Sequence, residues 1–120
     1  MKDKRVQRIS EEVKRELSDI VQNKLKDPRI PSLTSVSFVS VTRDLSYATV
    51  GISIFGDDEA KKNAMEGLES AKGFMKKELG KRLKLRAMPE LLLELDDSIE
   101  KGMALEETIN KLKESEQDSE

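Results

Sequence analysis

Histidine, cysteine and tryptophan are all absent from this chain of 120 residues. Without histidine there is neither the commonest general base nor the commonest metal ligand. Without cysteine there is no disulfide, no thiol nucleophile and no thiolate zinc site, which fits a reducing compartment. Aromatic residues are few: Phe38, Tyr47, Phe55 and Phe74 are all the chain holds. The core must therefore be aliphatic. No apolar run approaches the roughly 20 residues that span a bilayer, and the charged N-terminus is not followed by the apolar stretch of a signal peptide. A cytoplasmic protein with no membrane contact is expected. No Gly-x-x-x-x-Gly-Lys-Ser/Thr or Gly-x-Gly-x-x-Gly pattern occurs, so nucleotide binding by those routes is unsupported. The adjacent carboxylates Glu11-Glu12, Asp57-Asp58, Asp96-Asp97 and Glu106-Glu107 do not make acid/base dyads. Sequence neighbours on a helix do not face each other, and two of these pairs sit where helix caps are expected. An enzyme is not expected, and no catalytic residue, metal site or cofactor is assigned.

What the chain does have is charge, at 38% of residues, and it is unevenly placed. Residues 1–86 carry 19 Lys+Arg against 13 Asp+Glu, a net of +6. Residues 87–120 carry 3 against 11, a net of −8, so the overall −2 conceals a basic body and an acidic end. Such asymmetry suggests a polyanionic partner for the basic part.

Periodicity supplies the elements. Val6, Ile9, Val13, Leu17, Ile20, Val21 and Leu25 recur at three and four, which predicts an amphipathic helix over 4–26. Pro28 ends it, because proline disfavours helical geometry at Asp27. A hairpin follows, with strands over 33–43 and 46–55 and a turn at Arg43-Asp44-Leu45-Ser46. In the first strand Val36 and Phe38 are expected to share one face and Val39 and Val41 the other, a change of parity that predicts a bulge or a strand covered on both faces. Asp57 is a candidate N-cap for a second helix. Its apolar stripe, Ala60, Ala64, Leu68, Ala71, Met75, Leu79 and Leu83, runs through a glycine at position 73. Two helical pieces sharing a buried face, kinked at Ala71-Lys72-Gly73, are predicted, ending by Leu85 or at the latest before Pro89. Leu91-Leu92-Leu93-Glu94-Leu95 reads as a third, mostly buried strand. Ile99, Met103, Leu105, Ile109 and Leu112 form a weak last stripe, and residues 114–120 hold nothing to bury.

The order is helix, strand, strand, helix, kink, helix, strand: an α+β domain with helices on one face of a three-stranded mixed sheet. The expected organisation is a domain over 1–98, a helical extension over 99–113 and a disordered acidic tail over 114–120.

The stretch 70–89 holds seven basic residues, Lys72, Lys76, Lys77, Lys81, Arg82, Lys84 and Arg86, against one acid, Glu78. Lys72 and Lys76 fall on one helical face; Lys77, Lys81 and Lys84 fall on another. Alone, such a run reads more readily as a solvated face, with Glu78 and Arg82 an i,i+4 ion pair. The break changes its meaning. A small residue and a glycine at a helix start let a nucleic-acid backbone approach closely and expose N–H groups to phosphate. With so few aromatics, electrostatics and shape rather than stacking must supply most of the affinity. Lys4, Arg5, Arg8 and Arg43 are candidate auxiliary contacts.

Several stretches together resemble one family, bacterial ribosome-binding factor A, over roughly residues 4–110. They are Arg5-Val6-x-Arg8-Ile9; Asp27-Pro28-Arg29; Val39-x-Val41-Thr42-x-Asp44-Leu45-Ser46-x-Ala48; Ala71-Lys72-Gly73; Leu79-x-x-Arg82-Leu83-x-Leu85-Arg86-x-x-Pro89-Glu90-Leu91; and Asp96-Asp97-Ser98-Ile99-x-x-Gly102. The resemblance implies a type-II KH-like fold whose usual Gly-x-x-Gly loop is replaced by an Ala-x-Gly kink, here Ala71, Lys72 and Gly73. It implies a monomeric, non-enzymatic assembly factor that binds small-subunit ribosomal RNA on free 30S subunits. Members support late maturation, including 5′-end processing of 16S rRNA, and are often important in the cold. Ribosomal proteins and other assembly factors are implied as further partners. The alternative is a protein-interaction module that docks through the C-terminal amphipathic segment.

Overall fold

The computed structural model describes residues 4–85 and 87–97. Arg86, the expected extension over 99–113 and the expected tail over 114–120 lie outside the described residues. The elements are α1 (Lys4–Asp19), β1 (Ser35–Val41), β2 (Tyr47–Ser53), α2 (Asp58–Ser70), α3 (Lys72–Arg82) and β3 (Glu90–Leu95). The sheet order is β1-β2-β3, with β1 and β2 antiparallel and β2 and β3 parallel. This is the predicted α+β, type-II KH-like arrangement.

The first helix does not run unchanged to residue 26. It widens at Asp19 into a π-helical turn, Ile20–Lys24, closed by the Leu25 N–H donating to the Ile20 carbonyl at 3.2 Å. Ile20 and Val21 are adjacent in sequence and both buried. Gln22 Nε2 donates to the Thr34 carbonyl at 2.7 Å, fixing the turn to the residue before β1.

One core joins the layers. Ile9, Val13, Leu17 and Ile20 from α1 and its extension meet Val36, Val41, Ala48, Val50, Ile52 and Leu91 from the sheet. Ala64 and Leu68 of α2 and Met75 and Leu79 of α3 join the same cluster. All of these side chains are aliphatic or thioether, as the shortage of aromatics requires. Asp57 caps α2 as expected, accepting from the Ala60 N–H at 2.8 Å, with Asp58 and Glu59 in the positive first turn.

The parity change in β1 is a bulge between Val36 and Phe38. It corrects one assignment: Val36 and Phe38 do not share a face. Val36 is buried, whereas the ring of Phe38 lies over Gly51 on the outer side of the sheet. A Cβ on residue 51 would collide with that ring, so Gly51 is a site of close packing. Nothing among the described residues covers this outer face, and Phe38, Tyr47 and Leu92 are exposed on it.

The helical region has ended by Leu85, as expected. Leu83 is already extended (φ −119°, ψ 130°), and its N–H closes α3 on the Leu79 carbonyl. Among the described residues, no helix is long and apolar enough to cross a membrane.

Candidate nucleic-acid interface

The break between α2 and α3 is a single residue. Ala71 adopts φ −88° and ψ −1°, its N–H shared between the Gly67 and Leu68 carbonyls at 3.1 Å each. Its own carbonyl accepts from the Met75 N–H at 2.9 Å and so starts α3. Glycine at position 73 does not cause this break. It lies inside the first turn of α3, with no positive φ, and a Cβ there would meet nothing within 4 Å. Gly73 leaves open space instead of providing an unusual backbone angle. Ala71 has no side-chain oxygen, so no side chain caps the start of α3. The first-turn N–H groups therefore lack a partner within that helix.

The two predicted basic faces of α3 prove unequal. Lys72 and Lys76 are partly buried and engaged by acids: Lys72 Nζ lies 3.0 Å from Glu69 Oε2, and Lys76 Nζ donates to Glu90 Oε2 at 2.8 Å. The Lys76 ammonium holds the Glu90 carboxyl below its ordinary value. Lys81 lies 3.5 Å from Glu78 and stays largely in water. Lys77 is exposed, as is Lys84, and neither makes an ion pair among the described residues. Lys84 follows the end of α3, so it does not continue the face of Lys77 and Lys81 helically.

Arg82 corrects a second assignment. It does not pair with Glu78. It turns to α1, where Nη1 donates to Asp19 Oδ2 at 2.6 Å and to Glu16 Oε2 at 3.2 Å. Asn23 of the π turn donates to the other Asp19 oxygen at 2.6 Å. The Arg82 hydrogen bond, then that of Asn23, lowers the Asp19 pKa from its ordinary value. A carboxylate so depressed contributes fully at neutral pH and loses its contribution only as pH falls through the folded value, below 3.8. Arg82 thus clamps the end of α3 to α1 through Nη1.

The clamp and the packing make α3 antiparallel to α1. The end of α3 meets residues 16 and 19, and its start lies beside residues 24–28. Lys24 and Lys26 therefore join Ala71 and Phe74 around one groove. Neither lysine stands out in the sequence, where the predicted helix merely ends. Their position just ahead of Asp27-Pro28-Arg29 was the available signal. That motif forms a tight turn in which Arg29 binds both oxygens of Asp27, at 2.7 Å to Oδ2 through Nη2 and 3.1 Å to Oδ1 through Nε. The turn rests on α2 at Gly67, where a Cβ would be 3.1 Å from Ile30.

The auxiliary residues gather elsewhere. Arg43 lines a groove with Val6, Gln7 and Ser10 of α1, and Lys4, Arg5 and Arg8 are exposed on the same first turns of that helix. Arg8 lies about 16 Å along α1 from Asp19 at 1.5 Å per residue. The start of α1 is a second basic patch, not a part of the α3 surface.

Fold and surface together define the class: a small KH-like domain that presents basic helical surface around a helix-break-helix unit and contains no group of three His, Cys, Asp or Glu able to hold a metal among the described residues. A sequence model of the ribosome-binding factor A family matches residues 5–109. Ribosome-binding factor A of Acetivibrio thermocellus is 54% identical over 106 residues, covering 88% of this chain and 86% of its relative. A Thermotoga maritima structure solved by NMR and assigned to the same factor is 29% identical, with a TM-score of 0.69 over 78% of this chain and 89% of that one. Coordinates of the Thermus thermophilus factor, fitted into a cryo-EM map of its complex with 30S, match at 28% identity and a TM-score of 0.60, covering 71% and 88%. The chain belongs to the ribosome-binding factor A family.

Proposed function

We propose that this protein is a cytoplasmic ribosome assembly factor that binds free 30S subunits by contacting their RNA with the first turn of α3 and the lysines beyond it. The relative from Thermus thermophilus was fitted in a complex with 30S, and this chain shares its family and fold. The observation that carries the RNA contact is the pairing of open space at Gly73 with Lys77, a cation with no ion pair among the described residues, one turn further along the same face. A phosphate can reach the uncapped turn only where no side chain stands, and the lysine attracts it. Lys72, Lys76, Lys81, Arg82, Lys84 and Arg86 belong to this proposed contact, with Lys4, Arg5, Arg8 and Arg43 as a second patch. On this reading the protein acts as a monomer in late maturation, including 5′-end processing of 16S rRNA and growth in the cold. Ribosomal proteins and other assembly factors are its further neighbours.

Gly73→Ala separates this role from a structural one. Alanine is the better helix former by about 1 kcal/mol, and the added methyl meets nothing within 4 Å among the described residues. Thermal unfolding is expected to move up or stay level. Affinity for 30S subunits is expected to fall about tenfold near 0.1 M salt, the scale of one lost phosphate contact. A stabilised variant that binds subunits as tightly as the parent removes Gly73 from the interface.

A further inference from the structure

Building on the RNA-binding reading above, we propose that the groove between the end of α1 and the first turn of α3 receives one unpaired nucleotide. Its base stacks on Phe74, and its flanking phosphates are held by Lys24 and Lys26. The groove is shallow and open to solvent, offers about 520 Å³ and is lined by Lys24, Leu25, Lys26, Asp27, Pro28, Ala71 and Phe74. That volume suits a small, flat ligand.

Phe74 is the anomaly that prompts the idea. The buried side chains of α3 are Met75 and Leu79, and the Phe74 ring is 42% exposed, so the core does not use it. It also lies two residues before Lys76, on roughly the opposite side of the helix from the Lys76–Glu90 contact with β3. The groove is thus separate from the β3 side of the domain.

The charge around the groove favours a polyanion. Lys24 and Lys26 are exposed and make no ion pair among the described residues. The one carboxylate in the lining, Asp27, has both oxygens held by Arg29. A peptide would need a strand edge or a row of apolar pockets at helical spacing. Here there is a single aromatic plate flanked by cations, which is how single-stranded nucleic acid is held. The groove also adjoins Gly73, so a backbone approaching that open turn passes beside it. One such plate supplies fit and selectivity for an unstacked base, while the lysines still supply most of the attraction.

The chain has no tryptophan, so Phe74→Trp places a unique fluorophore in the groove. Affinity for purified 30S subunits would be measured across a salt series for the parent, Phe74→Ala, Phe74→Leu and Phe74→Trp. Emission of the Trp variant would be followed with 30S subunits and with protein-free 16S rRNA, at concentrations that bind all the protein. Phe74→Ala and Phe74→Leu should each weaken binding about 5- to 140-fold, the range of one lost base–aromatic stack, without changing the salt slope. Phe74→Trp should bind like the parent, and both probes should quench it. Parent-like binding by Phe74→Leu overturns the proposal, because an apolar plug would then suffice. Quenching by subunits but not by bound RNA also overturns it, because a ribosomal protein would then fill the groove. If Phe74→Ala binds like the parent while loss of Lys77 and Lys84 still lowers the salt slope, the nucleotide site falls and the RNA-binding reading stands. If neither change has any effect, both fall.

Discussion

Replacing Lys77 and Lys84 together by alanine is expected to weaken binding to free 30S subunits by about 10- to 100-fold near 0.1 M salt. The slope of log affinity against log salt should become shallower by roughly one to two units. The reason lies in how the cations of this stretch are used. Lys72, Lys76 and Arg82 each face a carboxylate at 3.0, 2.8 and 2.6 Å, so part of their field is already cancelled within the protein. Lys77 and Lys84 are exposed and have no such partner among the described residues, so their charge is available to phosphate. Each phosphate they neutralise releases condensed counterions, and that release is what the salt slope counts. Neither side chain supports the core, so thermal stability should be unchanged. Lys62→Ala, at an exposed position on α2, serves as a control that removes a charge without moving the slope. A double variant with parent affinity and parent slope would remove this face of α3 from the interface.

Leu79→Ala should have the largest effect on stability. Leu79 is fully buried, and with Met75 it forms the buried face of α3. Truncating a buried leucine costs the transfer of the lost methyl and methylene groups and leaves a cavity, about 2–5 kcal/mol in total. Domains of this size have only about 5–15 kcal/mol of stability, so a substantial share would be lost. The unfolding midpoint should fall by about 8 °C or more, at about 4–8 °C per kcal/mol. Function should suffer by a route distinct from that of the lysine variant. The basic surface keeps all its charges, so affinity in the folded fraction should show the parent salt slope even as the active fraction falls. Thermal unfolding followed by circular dichroism checks the first expectation and titration at two salt concentrations the second. A midpoint within 2–3 °C of the parent would mean that α3 is not anchored through Leu79.

Much of the fold was legible because burial imposes a period. The α1 stripe, the alternation of Ala48, Val50, Ile52 and Ile54, and the stripe from Ala64 to Leu79 all face the core found in the structure. Asp57 was legible because an N-cap is a local event. The π turn at Ile20–Lys24 was not, because its cause is tertiary: the bond from Gln22 to Thr34 spans 12 residues. Phe38 was placed on the wrong face for a similar reason. A parity change announces a bulge without saying which residue is extra, and here the answer depends on Gly51 across the ladder. The candidate site was legible as a run of cations and a break, since both are properties of consecutive residues. Which cations were already engaged was not. Glu90, Asp19 and Glu16 are 14, 63 and 66 residues from the lysine and arginine they bind. Spacing offered Glu78 to Arg82, but the fold gave Arg82 to α1 instead. The meaning of Gly73 changed as well, from a residue that bends the chain to one that keeps a helix start uncovered.

The central claim is that the first turns of α3 meet RNA on the small subunit. Site-specific crosslinking from position 77 tests it most directly, with a photoreactive residue in place of Lys77 and free immature 30S subunits as target. Mature subunits and a second photoreactive variant at position 62 serve as controls. The predicted result is crosslinks from position 77 to 16S rRNA that weaken as salt rises and are far fewer from position 62. Crosslinks from position 77 only to ribosomal protein, or equally to RNA from both positions, would contradict it.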